Sequence, residues 1–563
     1  MTCEMNHLKS LASIALLLFV YTTSVSADDK TLILPNIFGD SMVLQADKPN
    51  TVWGRAAKGA TVTVRFGDDS VSTTASKQGE WKVQLPKREK SFDAQSLTVE
   101  AGTEQVTFKD VLVGEVWICG GQSNMAWTMN GSRDGDLEIA SANADHIRFM
   151  RMPLIARNNP QSDFPVDSPT AREGNWRKAI TEQVDNCTAV GYYFAQRISR
   201  LLKTPVGLID VSWGGTMAQH WVTDETLSEI PEMQPYHQEF EAALKAWNDG
   251  GGEAGAIIRF ENDVKEWEVA NKQAIDRGER APRRPNRNDY INPGHKRHPA
   301  GMMNGMIKPI SNLTVKGVLF YQGENNSFGV SWKPFYATFP AVISDWRQVF
   351  SFPELPFGIV QIAGWSNRRS MTYDMNHHTN VVREIQHLTW EQFDNVGLIP
   401  TYDTNSNGSI HPGHKRPVGE RLARWALSEV YSGQIQIEVA WRGPVYKSHV
   451  IEGNKFVISF ADDTAKGLRL DKDVVAGFYI AGEDGEFLNA QARVDTNKQQ
   501  LTVWHDSLNA PVAVRYGFSN LPHGTLMNGK EIPAYPFRTD SWPLTPHQST
   551  GDYEVLKIKT PNN

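Results

Sequence analysis

Val111-Leu112-Val113-Gly114-Glu115-Val116-Trp117-Ile118-Cys119, running straight into Gly120-Gly121-Gln122-Ser123-Asn124-Met125, is the stretch on which the fold turns. The first nine residues are mostly apolar, as expected of a buried strand. The glycine pair after them permits a tight turn, which presents the Ser123 hydroxyl at a strand end, where a hydrolase would place its nucleophile. The run is not the Gly-x-Ser-x-Gly elbow of the α/β-hydrolases, because Met125 stands in the place of the second glycine. Taken alone, Ser123 could equally cap the following helix.

Working outward, apolar strands alternate with helical periods from 111 to 430. Val206-Gly207-Leu208-Ile209-Asp210-Val211 and Gly317-Val318-Leu319-Phe320-Tyr321 read as buried strands, and 418–430 reads as a helix. This alternation predicts an α/β domain with a parallel sheet wrapped by helices. Inside it lies a charged insertion, about 223–297, expected as a helical hairpin ending in the basic run Arg280-Ala281-Pro282-Arg283-Arg284-Pro285 and read as a solvated lid or surface decoration. Before the domain, 28–110 shows short alternating runs such as Thr61-Val62-Thr63-Val64-Arg65-Phe66, the pattern of a small β-sandwich. After it, 431–563 returns to strands, with Phe456-Val457-Ile458-Ser459-Phe460 and Val512-Ala513-Val514-Arg515-Tyr516 the clearest, so a second β-domain closes the chain.

The chain of 563 residues is long enough for three or four domains at about 150 residues each. A net charge of -7 without long basic runs argues against a nucleic-acid partner, and a neutral or carbohydrate ligand fits better. Lys9, the apolar residues 11–20 and Val25-Ser26-Ala27 have the form of a signal peptide over 1–27, implying a periplasmic or secreted protein. No segment is apolar over the roughly 20 residues that a membrane span requires. With Cys3 inside that signal, Cys119 and Cys187 could form one bridge at most.

Ligands of open parallel sheets bind at the carboxyl ends of the strands. Four such ends carry chemistry here. They are Ser123; Ser212-Trp213-Gly214-Gly215-Thr216; Gln322-Gly323-Glu324-Asn325-Asn326; and Ser409-Ile410-His411-Pro412. Acyl transfer needs a nucleophile, a base and hydrogen-bond donors for a developing oxyanion, and these segments hold all three. His411 would take the Ser123 proton and return it to the leaving alcohol. Gly214 and Gly215 let backbone N–H groups approach closely, while Gln322 and Asn325 or Asn326 offer amide donors. Gln122, Trp213 and Glu324 are the candidate substrate-binding residues, and no metal or cofactor is called for. A glycosidase pair built on Glu324 is a competing reading of the same loop.

These segments, with Asn304-Gly305-Met306-Ile307, Lys415, Val418-Gly419 and Arg421-Leu422-Ala423, resemble the sialate O-acetylesterase family of SGNH-type carbohydrate esterases over about 34–540. The resemblance implies a central three-layer α/β/α domain flanked by β-domains, and removal of acetyl groups from an acetylated carbohydrate. It further implies Ser123 as nucleophile, His411 as base, and an oxyanion hole from Ser123, Gly214, Gly215 and the Gln322, Asn325 and Asn326 loop. One departure stands out. The family carries an aspartate two or three residues before the histidine, and this chain has Ser409 and Gly408 there. Asp403, a backbone carbonyl or no third group at all could complete the site, and a non-catalytic glycan-binding protein with a decayed site is the alternative function.

Overall fold

The computed structural model describes residues 31–542, less 167, 169–170, 286, 288–289, 291–297, 330, 366–378 and 407–408. The expected signal segment, 1–27, lies outside the described residues, as does the end of the expected insertion.

Thirteen strands build the first two-thirds of the fold. They are β1 (Val43–Gln45), β2 (Asn50–Arg55), β3 (Thr61–Phe66), β4 (Asp69–Thr74), β5 (Glu80–Leu85), β6 (Ser91–Ala101), β7 (Glu104–Gly121), β8 (Asn143–Arg151), β9 (Trp176–Ile180), β10 (Val206–Asp210), β11 (Gly317–Tyr321), β12 (Phe357–Val360) and β13 (Val396–Ile399). The central sheet has the order β13-β12-β11-β7-β10-β8-β9. Its strands are parallel except β9, which runs antiparallel at one edge, so the sheet is mixed.

Strand β7 explains how the amino-terminal β-domain meets this sheet. Its first part pairs antiparallel with β6, whereas its second part, buried throughout from Leu112 to Gly121 and parallel to β10 and β11, forms the middle of the central sheet. One strand thus crosses position 110 and joins the two units, with an irregularity in its β6 register beside Asp110. Period-two alternation along β7 then sets the layers. Trp117 packs on Phe194 of the helix Ala189–Leu202 and on Trp425 of Arg416–Trp425, whereas a Cβ at Gly120 would lie 3.1 Å from Trp346 of Trp332–Val349 on the opposite face.

The insertion contains the helices Gln234–Asp249 and Gly252–Asp276, which pack against each other as a hairpin. Its basic run folds back, with the Trp267 indole donating to the Pro282 carbonyl at 2.8 Å. Beyond 445 two antiparallel four-stranded sheets enclose a separate core around Phe456, Ile458, Leu501 and Tyr516. Tyr402, from the loop after β13, belongs to that core and donates to the Ala534 carbonyl at 2.8 Å. Asn405 in the same loop donates to the Pro522 carbonyl. The carboxyl-terminal domain therefore anchors the loop that leads to His411.

Cys119 and Cys187 are both buried and unbridged. Burial pushes each thiol well above its ordinary range, so neither is a thiolate at neutral pH. Among the described residues no helix is long and apolar enough to cross a membrane.

Candidate active site

The turn after β7 requires glycine. Gly121 has φ +119°, and a Cβ there would lie 2.1 Å from the Tyr321 carbonyl oxygen. That close approach lets the Gln122 N–H reach the same oxygen at 3.0 Å and brings Ser123 to the first position of a short helix, Ser123–Ala126. The serine does not cap it: Gln122 is the N-cap residue, and no side chain caps the helix end. Instead the Ser123 hydroxyl lies 2.7 Å from His411 Nε2. Two residues 288 apart in sequence thus meet in a direct hydrogen bond.

His411 sits in the loop between β13 and the helix Arg416–Trp425. Its ring stacks on Trp127, with centroids 5.5 Å apart and planes at 25°, a contact worth about 0.5–1.5 kcal/mol beyond area burial. Ser409 accepts the backbone N–H of His411 at 3.0 Å, and Ser406 ties the same loop through its hydroxyl. Ser409 therefore shapes the loop and leaves the imidazole alone. Burial, and secondly the positive charge of Lys415, hold the imidazole below its ordinary pKa. It is neutral at pH 7, the state in which it can accept a proton.

Asp403 does not complete a triad, which corrects the expectation placed on it. Both its oxygens accept from Arg421, at 2.7 and 2.5 Å, and among the described residues no carboxylate is hydrogen-bonded to His411. A fork-shaped guanidinium matches a carboxylate better than one imidazole N–H does, so Arg421 wins the competition. Asp403→Asn is expected to leave kcat within about threefold while lowering stability by about 1–2 kcal/mol, because Arg421 loses a charged partner that is itself partly solvated. Ser409→Asp should raise kcat about tenfold, equivalent to about 1.4 kcal/mol, by stabilising the imidazolium. Acetate release and thermal melting of both variants check this, and a several-hundredfold loss in Asp403→Asn would return that residue to the triad.

The oxyanion expectation divides. A Cβ at Gly214 would lie 3.2 Å from the Ser123 Cβ, so this glycine borders Ser123, and Gly215 follows it in a left-handed turn. The Ser123 N–H, at the start of a helix, has no intrahelical partner. Asn325 is half-buried and uses one amide proton on the Gly215 carbonyl at 3.0 Å, leaving its second proton available. Gln322 and Asn326 are corrected. Both are fully buried: Gln322 donates to the Thr216 carbonyl, while Asn326 accepts from the Ala218 N–H and donates to Gln219, so they brace the β10 loop.

The three substrate-binding expectations are corrected as well. Gln122 and Glu324 are buried against each other through a hydrogen bond, and Trp213, 7% exposed, has no open face for a sugar. With both oxygens of Glu324 engaged, the glycosidase reading loses its acid. Trp127 and the buried Lys415, whose ammonium lies 5.7 Å from the Trp127 ring centroid, carry roles that the sequence pattern left unassigned. Spacing alone held no signal for Trp127, because its stacking partner comes from a distant loop.

Residues 294–428 match the family model described as carbohydrate esterase, sialic acid-specific acetylesterase. The chain is 24% identical over 532 residues to the sialate O-acetylesterase of Mus musculus, covering 85% of this chain and 88% of the mouse protein. The Homo sapiens sialate O-acetylesterase is 25% identical over 444 residues, 72% of each chain. Among solved structures, a carbohydrate acetylesterase from Xanthomonas citri shares the fold with a TM-score of 0.73 and 29% identity, covering 91% of this chain and 100% of that one. With the mixed α/β fold, these likenesses make the chain a carbohydrate O-acetylesterase, a carboxylic ester hydrolase. Within that class it resembles the sialate O-acetylesterases.

Proposed function

We propose that this esterase is an exported serine enzyme that removes O-acetyl groups from a sugar through an acetyl-Ser123 intermediate. The 2.7 Å contact between Ser123 Oγ and His411 Nε2 carries the reading. His411 accepts the hydroxyl proton as Oγ attacks the acetyl carbonyl, and the N–H of Ser123, the Gly214 turn and the second amide proton of Asn325 meet the developing oxyanion. The imidazolium then protonates the departing sugar oxygen. Water repeats the sequence on the acetyl-serine, releasing acetate and restoring the serine.

The mouse and human relatives support sialic acid as the acetylated sugar, whereas the Xanthomonas relative, a carbohydrate acetylesterase, supports an acetylated carbohydrate without naming one, so acetylated plant or host glycans stand beside sialic acid. Export rests on the residue pattern of 1–27. An organophosphonate should label Ser123 stoichiometrically, and the protein should release acetate from at least one of acetylated sialic acid, xylan and pectin while leaving the sugar chain intact. An unlabelled serine together with no acetate would instead indicate a glycan-binding protein with a decayed site.

A further inference from the structure

Ser123 is flanked in sequence by two buried amides, and one carboxylate holds both. Gln122 Nε2 donates to Glu324 Oε2, and Asn124 Nδ2 donates to Glu324 Oε1. All three side chains are at most 3% exposed, so none meets the substrate. The other partners fix the amide orientations. The Lys415 ammonium can only donate, and it donates to Asn124 Oδ1; the Ile410 carbonyl can only accept, and it takes Asn124 Nδ2 at 3.1 Å. Gln322 Nε2 donates to Gln122 Oε1 at 3.3 Å, which fixes the second amide. Ile410 directly precedes His411, so hydrogen bonds run from Glu324 through Asn124 to the backbone that carries the base.

We propose that Glu324 is a positioning residue whose carboxylate clamps the residues on both sides of Ser123 and, through Asn124 and the Ile410 carbonyl, sets the nucleophile against His411. The proposal rests on the Ser123–His411 reading above. It accounts for how a site in which no described carboxylate is hydrogen-bonded to the imidazole still holds its pair at 2.7 Å. Two donors face the two oxygens, so the clamp needs the acceptor-only, ionised carboxylate. Burial raises the Glu324 pKa, with the Asn124 hydrogen bond and the Lys415 charge opposing that rise. Burial likewise brings Lys415 down to about 7, with Glu324 opposing. Each charge thereby offsets part of the cost of burying the other, with Asn124 as the bridge between them.

Glu324→Gln turns one acceptor into a donor that faces another donor. It is expected to lower kcat about 100-fold with KM within about threefold, the loss that follows from misplacing the reacting groups by about an ångström. Gln122→Glu sets two carboxylates face to face and should lose about as much. The double variant Gln122→Glu/Glu324→Gln restores a donor opposite an acceptor on both arms, because the new amide donates to the new carboxylate while its oxygen still accepts from Asn124. It should recover kcat at least about tenfold over either single variant, a rescue that mere space-filling would not produce.

Glu324→Gln within threefold of the parent, or a double variant no more active than the weaker single one, overturns the clamp. Thermal melting identifies any variant that fails to fold; if Glu324→Gln is one, the comparison of the double variant with Gln122→Glu decides alone. Ser123→Ala, run alongside, separates the two levels of the reading. If it keeps its activity, the serine mechanism falls; if it is inactive while Glu324→Gln is unaffected, the clamp alone falls.

Discussion

Ser123→Ala is expected to cut acetate release at least about 1,000-fold, a rise of about 4 kcal/mol in the barrier, while leaving the fold intact. The hydroxyl's one partner among the described residues is His411 Nε2 at 2.7 Å, and the residue is only half-buried. Its removal therefore opens no cavity and strands no buried group, and the stability cost should stay near that of one hydrogen bond, about 1 kcal/mol. The covalent route, by contrast, disappears entirely. What survives is the background supplied by oxyanion donors and substrate binding. Initial rates of acetate release, with melting temperatures beside them, provide the check. Activity within tenfold of the parent would remove Ser123 from the nucleophile role.

The contrast between the legible and illegible parts of this site follows from what a sequence encodes locally. Strands such as Val206–Asp210 and Gly317–Tyr321 announce themselves because burial on both faces demands unbroken apolar runs. The turn before Ser123 is legible because only glycine fits 2.1 Å from a carbonyl oxygen at φ +119°. Partnership is different. Asp403 lies eight residues before His411, yet its carboxylate goes to Arg421, whose guanidinium one helix further on offers two donors at once. Gln122, Glu324, Gln322 and Asn326 looked like groups for a ligand because polar residues at strand ends so often are. In the fold Gln122 pairs with both Glu324 and Gln322, while Asn326 pairs with Ala218 and Gln219, since buried polar atoms must be paired. Which polar residue faces substrate and which faces protein is decided by contacts between segments hundreds of residues apart, and residue spacing does not record them.

His411→Ala should lose as much as Ser123→Ala, and the double variant should be no worse than either single one, because a nucleophile without its base and a base without its nucleophile fail at the same step. The pH dependence of the parent gives the sharper result. Among the described residues the groups that meet the ring are the Ser123 hydroxyl and the neutral Trp127, with the charged Lys415 nearby, and burial together with Lys415 lowers the imidazole pKa. A lowered value keeps the base neutral further into acid. Thus the imidazole limb of kcat/KM should rise with pH through a step centred below about 6.5, the ordinary histidine value, with Lys415, brought down to about 7, titrating above it. Were an aspartate paired with the ring, its charge would favour the imidazolium and move that step upward. Ser409→Asp, which supplies such a charge, should therefore shift the acid limb toward neutral pH while raising kcat on the plateau. A parent profile that is flat from about pH 5 to 8 would remove His411 from the base role. A step centred well above the ordinary histidine value would reveal a negative partner for the imidazole and overturn the dyad.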